Sequence, residues 1–269
     1  MVTKAVVLAA GLGSRMRRSD ASARVSAAQA ATAESGIKAL VPIDRPFLDY
    51  VLTSIADAGY RRVCLVVGPG PSALRDRYTR LSGGRLEFEF AVQQTPLGTA
   101  HALAAAAEFA DSDHFLLINS DNYYPVEPLR QLRELDGPGT IGFQPGGLTE
   151  GGNISAARIL RFALMEQDQD GYLRRIVEKP QDDAVGELSD NSLVSMNCWR
   201  FGPEIFAACG AIVKSPRGEF EIADAVSYSM RELDQRYRVV TSSTPVLDLS
   251  CQADIAPVAD RLAGKKAKL

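Results

Sequence analysis

The chain has 269 residues, and 30 lysines and arginines against 33 aspartates and glutamates leave it three charges negative. That balance argues against a general nucleic-acid binder or a protein held on an anionic membrane, both of which are usually basic, while 46% apolar and 23% charged residues are globular values. Cys64, Cys198, Cys209 and Cys251 lie far apart, and His101 and His114 are the only histidines, so neither a closed zinc site nor a disulfide framework is expected, and a reducing cytoplasm is.

The first half alternates apolar runs with helical patterns, as a βα-repeating sheet does. Residues 4–10 read as the first strand, and their apolar stretch is too short for a signal segment or a membrane span. Residues 17–36 are rich in alanine and read as a helical insertion, capped at its start by Ser19 or Asp20 and ended by Gly36. It is either a solvated surface helix or a lid over phosphates with Arg17 and Arg18 as its charges. A helix over 47–58 follows, with Leu48, Val51, Leu52 and Ile55 at helical spacing. Further strands are expected at 62–67, 86–92, 115–119 and 140–143, with helices at 99–109 and 126–135. The uniformly apolar run FLLI implies burial on both faces and hence a mostly parallel sheet.

Beyond residue 145 the texture changes. Gly146, Gly147, Gly151 and Gly152 mark a loop, and 162–167 and 172–179 read as two strands around a turn at 168–171. A strand at 192–201 and helices at 203–209 and 220–233 come next. A strand at 246–249 leads into a last helix at 253–262, and the tail GKKAKL reads as a frayed end.

The strongest chemical signal is LAAGLGSRM, from Leu8 to Met16, directly after the first strand. Gly11 and Gly13 allow positive φ and close approach of backbone N–H groups to phosphate, and Arg15 adds a forked cation. A dinucleotide fingerprint would need glycine where Met16 stands, and a P-loop would need G-K-S/T. Lys38 sits just before a helix, QQTPLGT at 93–99 follows the third strand, and Asp121 in NSDN follows the fourth. Four such segments at the carboxyl ends of four strands occupy the edge where open α/β sheets bind ligands, and point to a phosphate-bearing one. Asp121 suits Mg²⁺, as does Asp248 in VLDLS further on.

Taken in order, LAAGLGSRM, KALVPI, QTPLGTAHAL, NSDN, EKP and VLDLS resemble the sugar-1-phosphate nucleotidylyltransferases, which make nucleoside-diphosphate sugars. The resemblance implies a single three-layer, Rossmann-like α/β domain with a mixed, mostly parallel sheet. Residues 1–145 would form its nucleotide-binding half, carrying the 17–36 insertion, and 146–269 a β-rich sugar-phosphate half. It further implies that Leu8, Ala10 and Gly11 contact the nucleotide while Gly13 shapes the loop. Arg15 and Lys38 would act catalytically on the triphosphate, Gln93 would read the base, and Gly98 and Thr99 would lie against the nucleoside. Asp121 and Asp248 match the Mg²⁺ pair, and Glu178, Lys179 and Asn197 match residues that bind the sugar and its phosphate. The substrates implied are an NTP and a sugar 1-phosphate, with neither nucleic acid nor membrane as partner. A homo-oligomer is allowed on general grounds.

Duller readings stand beside these. Glu178 and Lys179 also read as an exposed ion pair, Asn197 as a strand residue, Trp199 and Phe201 as core, His101 as structural and Glu219 as a helix cap. Where the family often has Tyr-Gly, this chain reads Arg161-Phe162-Ala163, and 22 residues separate Arg15 from Lys38; both leave the sugar open. A transferase for choline phosphate or another phosphorylated acceptor, and a catalytically silent nucleotide-sugar sensor, are the alternatives.

Overall fold

The computed structural model describes residues 1–21, 23–180 and 192–269. Strand β1 (Lys4–Leu8) is buried throughout. After it come α1 (Ser14–Arg17), α2 (Ala27–Ser35), α3 (Phe47–Asp57), β2 (Arg62–Val67), α4 (Ala73–Leu81), β3 (Glu87–Val92), α5 (Thr99–Ala104), α6 (Ala107–Ala110) and β4 (Phe115–Asn119). The second half supplies β5 (Asn122–Tyr123), α7 (Val126–Glu134), β6 (Gly139–Phe143), α8 (Ala156–Ile159), β7 (Ala163–Gln167) and β8 (Leu173–Val177). It closes with β9 (Leu193–Phe201), α9 (Glu204–Ala211), α10 (Ile222–Glu232), β10 (Arg238–Ser242), β11 (Leu247–Asp248) and α11 (Ile255–Leu262).

The main sheet runs β10-β6-β9-β4-β1-β2-β3. All neighbours are parallel except β9, which runs against both β4 and β6, so the sheet is mixed and mostly parallel, as the apolar strands imply. Side chains alternate across a strand. Ala5 and Val7 of β1 therefore enter one core with α3, α4, α7 and α11, while Val6 and Leu8 enter a second with α5, α9 and α10. Two cores flanking one sheet make three layers.

Strand β9 ties the halves together. Its Trp199–Phe201 end pairs with β4 and its Leu193–Ser195 end with β7, on the same edge. Between them the register with β6 shifts, and Asn197 takes a left-handed φ of 53°, a conformation asparagine tolerates better than most residues. Asn197 thus marks the point where the strand changes neighbours. Trp199 and Phe201 are core, as expected: their rings stack 5.3 Å apart at 9°, and Tyr237 meets Trp199 edge-on at 5.8 Å. The buried Trp199 indole N–H has no partner among the described residues. Trp199→Phe is therefore expected to change stability by no more than about 1 kcal/mol, the lost volume being offset by removal of an unpaired donor, whereas Trp199→Ala should cost about 3–5 kcal/mol. Urea unfolding of the two variants checks this.

Four expectations need correction. The insertion is not one helix from Ser19 or Asp20: α2 starts at Ala27, where Ser26 and Gln29 form a reciprocal capping box, although Gly36 does end it at φ 77°. Serine followed three residues on by glutamine is the stronger start signal. The helix over 99–109 breaks into α5 and α6, where the Ala105 N–H is shared by the carbonyls of Ala102 and Leu103. A π turn, Gly147–Gly151, occupies the glycine-rich loop. The tail is not frayed: Lys268 N–H donates to Thr53 Oγ1 at 2.9 Å, Arg85 donates to the Lys268 carbonyl at 3.1 Å, and Ala267 and Leu269 pack on the core. Among the described residues no helix is long and apolar enough to cross a membrane.

Candidate active site

The carboxyl ends of β1, β2, β3 and β4 open into one cleft of about 780 Å³. Leu8, Ala10, Gly11, Lys38, Gln93, Gly98, Thr99 and Asp121 all line it. These residues come from four separated segments of sequence and meet there because the parallel strands end at one edge of the sheet.

The two motif glycines do different jobs. Gly13 takes φ 61°, and a Cβ on it would overlap the carbonyl oxygen of Gly36. It is a structural contact that closes the neck of the insertion, helped by Arg17, which donates to the Ser35 carbonyl at 3.0 Å. Arg17 thus ties the neck rather than swinging as a lid charge. Gly11 keeps a negative φ region available to any residue, and nothing stands within 4 Å of where its Cβ would be. Its open side is the cleft itself.

At the floor of the cleft, Lys38 Nζ meets Asp121 Oδ2 at 2.8 Å, with both side chains partly shielded. On the nucleoside side, Gly98 holds φ 109°, and a Cβ would stand 2.5 Å from the Phe220 carbonyl oxygen. That close approach is sealed by Phe220 N–H to Leu97 O at 2.8 Å and Ala100 N–H to Phe220 O at 2.9 Å. Thr99 Oγ1 accepts from Ile222 N–H at 3.1 Å, which anchors α10 to α5. Gln93 is 5% exposed, and its Nε2 lies 3.0 Å from the Gly98 carbonyl and 3.2 Å from His101 Nδ1. Reversing the amide would set two carbonyl oxygens against each other, so the NH₂ faces these partners and Nδ1 of His101 must accept. His101, stacked on Phe220 at 6.4 Å, therefore acts on Gln93 and is more than filler.

The acidic residues come together differently from an open pair. The two-stranded ribbon of β5 and β11 puts Asp248 opposite Asn122, and Leu249 N–H donates to the Asp121 carbonyl at 2.8 Å. Asp248 is buried, however, and its carboxylate is already occupied. Asn122 donates to Oδ1 at 2.9 Å, Ser250 donates to Oδ2 at 2.7 Å, and the Arg158 guanidinium closes on Oδ2 as well. Burial and the neighbouring Asp121 charge push the Asp248 carboxyl above the usual carboxylate range, with Arg158 and Ser250 pulling the other way. Mg²⁺ asks for one or two free carboxylates and an octahedron of oxygens. Among the described residues no group of three or more His, Cys, Asp or Glu is placed to hold a metal. With a guanidinium on one member and a lysine on the other, the Asp121–Asp248 pair does not fit a resident divalent ion.

Arg15 is exposed and turns away from the cleft. It lines a second cavity of about 430 Å³ with Arg18, Arg158 and Arg161. Short helix α1 divides the two spaces, with Ser14 and Arg17 on the cleft side and Arg15 and Arg18 on the other. Glu178, Lys179 and Asn197 stand outside the cleft wall. Glu178 pairs with Lys179 at 3.4 Å and with Arg217 at 3.5 Å, and burial raises its carboxyl above the usual range. Arg217 also contacts Glu221 and reaches Glu219 at 3.9 Å, and Glu219 lines the cleft. Glu219 is therefore not a cap; Glu221 stands at the N-cap position of α10, without a side-chain capping bond. The sequence reading missed Arg158 and Arg217. R-G-E-F-E offers a local signal for Arg217, whereas Arg158 meets Asp248 across 90 positions, which no local pattern shows.

A three-layer mixed sheet with a glycine-lined cleft over its parallel carboxyl edge defines an α/β nucleotidyltransferase fold. The chain belongs to the nucleotidyl transferase family, whose model matches residues 4–244. It is 27% identical over 228 residues to the low-salt glycan biosynthesis nucleotidyltransferase Agl11 of Haloferax volcanii, covering 83% of this chain and 56% of that protein. It is 26% identical over 232 residues to the UTP–glucose-1-phosphate uridylyltransferase AglF of the same organism, covering 85% and 84%. A glucose-1-phosphate thymidylyltransferase of Streptomyces antibioticus is 30% identical over 237 residues, covering 84% and 56%. The chain thus spans little more than half of the first and third of these relatives. In fold it is similar to a UDP-glucose pyrophosphorylase solved with UDP-glucose, with a TM-score of 0.72 at 16% identity over 99% of this chain and 100% of that one.

Proposed function

We propose that this chain transfers a nucleoside monophosphate from an NTP to a sugar 1-phosphate and releases pyrophosphate. The observation that carries the reading is the Lys38–Asp121 pair on the floor of a cleft walled by the Gly11 loop and Gln93. A phosphate oxygen of the acceptor forms the new bond to the α-phosphorus as the bond to the bridging oxygen breaks, and that electron pair leaves with pyrophosphate. The nucleophile is already an anion, so no proton is moved, which suits a cleft whose single histidine neighbour serves Gln93. What remains for the protein is alignment and charge neutralisation. Lys38 neutralises the α-phosphate region and Asp121 fixes the direction of Lys38, while Arg15, across α1 in the neighbouring cavity, adds positive potential toward the far phosphates without touching them. The NTP enters as its magnesium complex. Residues 1–145 form the nucleotide half and 146–269 the acceptor half, where Glu178, Lys179 and Asn197 face the sugar phosphate. A reducing cytoplasm accords with three buried free thiols and a partly buried fourth.

The reading is tested by pyrophosphate release with each common NTP against a panel of sugar 1-phosphates and choline phosphate, with Asp121→Asn as the blank. Release that requires one NTP and one sugar phosphate supports it. Folded protein that neither releases pyrophosphate nor binds any NTP overturns it.

The fixed amide of Gln93 adds a prediction. With NH₂ committed to Gly98 and His101, only Oε1 faces the base, which must offer an N–H. Removing the His101 acceptor leaves the Gly98 carbonyl as the amide's one anchor and loosens its orientation. His101→Leu is expected to shrink the kcat/KM ratio between the best and second-best NTP by about tenfold, the worth of one hydrogen bond, while His101→Asn, whose Oδ1 stands near the Nδ1 position, keeps it. Competition between paired NTPs reads the ratio directly.

A further inference from the structure

We propose that Arg158 is the resident cation of Asp248, so that Asp248 is a positioning residue in this chain rather than a metal ligand, and a divalent ion arriving with the NTP meets Asp121 alone. The last clause rests on the transferase reading; the first does not.

The geometry is that of a built site. Arg158 spans two carboxylates, with Nη1 2.6 Å from Asp254 Oδ1 and Nη2 closed on Asp248 Oδ2. The side chains of Asp248 and Asp254 are 4% and 7% exposed and that of Arg158 is 19% exposed. A planar guanidinium meets two carboxylates in fixed directions, which a spherical ion held by the same oxygens would not reproduce. The second oxygen of Asp254 is also committed, accepting from Ser250 N–H and Cys251 N–H at 2.9 Å each. The segment that carries Arg158 grips the Asp248 backbone too. Asn153 Nδ2 donates to the Asp248 carbonyl at 2.8 Å, and its Oδ1 accepts the Asp248 N–H at 2.8 Å. Side chain and main chain of Asp248 are thus clasped from one six-residue stretch, Asn153 to Arg158.

A second observation points the same way. The approach to Arg158 from solvent is the cavity lined by Arg15, Arg18 and Arg161 as well. None of those three forms an ion pair among the described residues. A divalent cation nearing Asp248 by that route meets a field of its own sign. What the clasp does accomplish is positional: it fixes β11, and β11 holds the Asp121 carbonyl through Leu249.

The test measures Mn²⁺ alone binding to the full chain by electron paramagnetic resonance, without nucleotide or turnover, so failure of the transferase reading leaves it intact. Asp248→Asn is expected to leave Mn²⁺ affinity within twofold of wild type. Arg158→Gln is expected to raise it about tenfold or more by uncovering Asp248 and Asp254, and adding Asp248→Asn to that variant should abolish the gain. Arg158→Lys, which keeps a cation, should bind Mn²⁺ as weakly as wild type. Tenfold weaker binding in Asp248→Asn alone overturns the proposal, as does a folded Arg158→Gln with unchanged affinity. Should Arg158→Gln fail to fold, the Asp248→Asn and Arg158→Lys measurements decide.

Discussion

Lys38→Ala is expected to lower kcat/KM by about 10²–10³, the usual cost of deleting one group that stabilises developing charge in a water-poor site. The same change should cost only about 1–2 kcal/mol of stability, the penalty of leaving the partly shielded Asp121 carboxylate without its partner. The two readouts separate cleanly. Lys38 sits on a tight 3-10 turn, Lys38–Leu40, whose backbone bonds do not involve the ammonium, so its removal leaves the turn intact. It does leave Asp121 uncompensated beside the incoming phosphates, so part of the loss should appear in KM for the nucleotide. Lys38→Arg keeps the charge but replaces a compact ammonium with a longer fork; it should recover nucleotide binding more than turnover. Steady-state kinetics beside thermal unfolding of both variants measures this. Full turnover in Lys38→Ala would remove the cleft floor from the chemistry.

Gly13→Ala should be the most damaging small change in the glycine loop. An L-residue at φ 61° carries a strain of about 1–2 kcal/mol, and the added methyl would overlap the Gly36 carbonyl. Neither Gly13 nor Gly36 can retreat, since Arg17 ties the same neck from the other side. A total loss of about 2–4 kcal/mol is expected. Gly11→Ala, two residues away in the same motif, should leave stability unchanged because nothing stands within 4 Å of its Cβ position. Its methyl would project into the cleft and weaken nucleotide binding instead. Urea midpoints and nucleotide titrations on the pair should show opposite patterns; equal destabilisation by both would mean that Gly13 is no different from any loop glycine.

Much of the architecture is legible from periodicity. Strands β1, β2 and β4 show themselves as short, uniformly apolar runs buried on both faces, and helices α3 and α7 through apolar residues at helical spacing. The parallel edge that collects Gly11, Lys38, Gln93, Gly98 and Asp121 follows from strand order, so the cleft is legible in the sequence. What is not readable is every feature decided by partners far away in sequence. Arg158 finds Asp248 across the fold, and the tail finds Thr53. Arg15 is a cation beside a phosphate loop in the sequence, yet the turn of α1 points it into the neighbouring cavity. Gln93 offers both a donor and an acceptor until His101 and Gly98 take the donors. The start of α2 is a different case, since the signal was present at Ser26 and Gln29 and the alanine run obscured it.

The neck formed by Gly13, Gly36 and Arg17 has an engineering consequence. The spacing between Arg15 and Lys38 in space is set by that junction and not by how many residues run between them. A longer excursion there adds only loop entropy, which grows slowly with length, and it adds this outside the cleft. The segment is therefore a natural splice port: a reporter domain grafted near residue 24, ahead of the Ser26 cap, would ride on the nucleotide loop without altering the distances that define it.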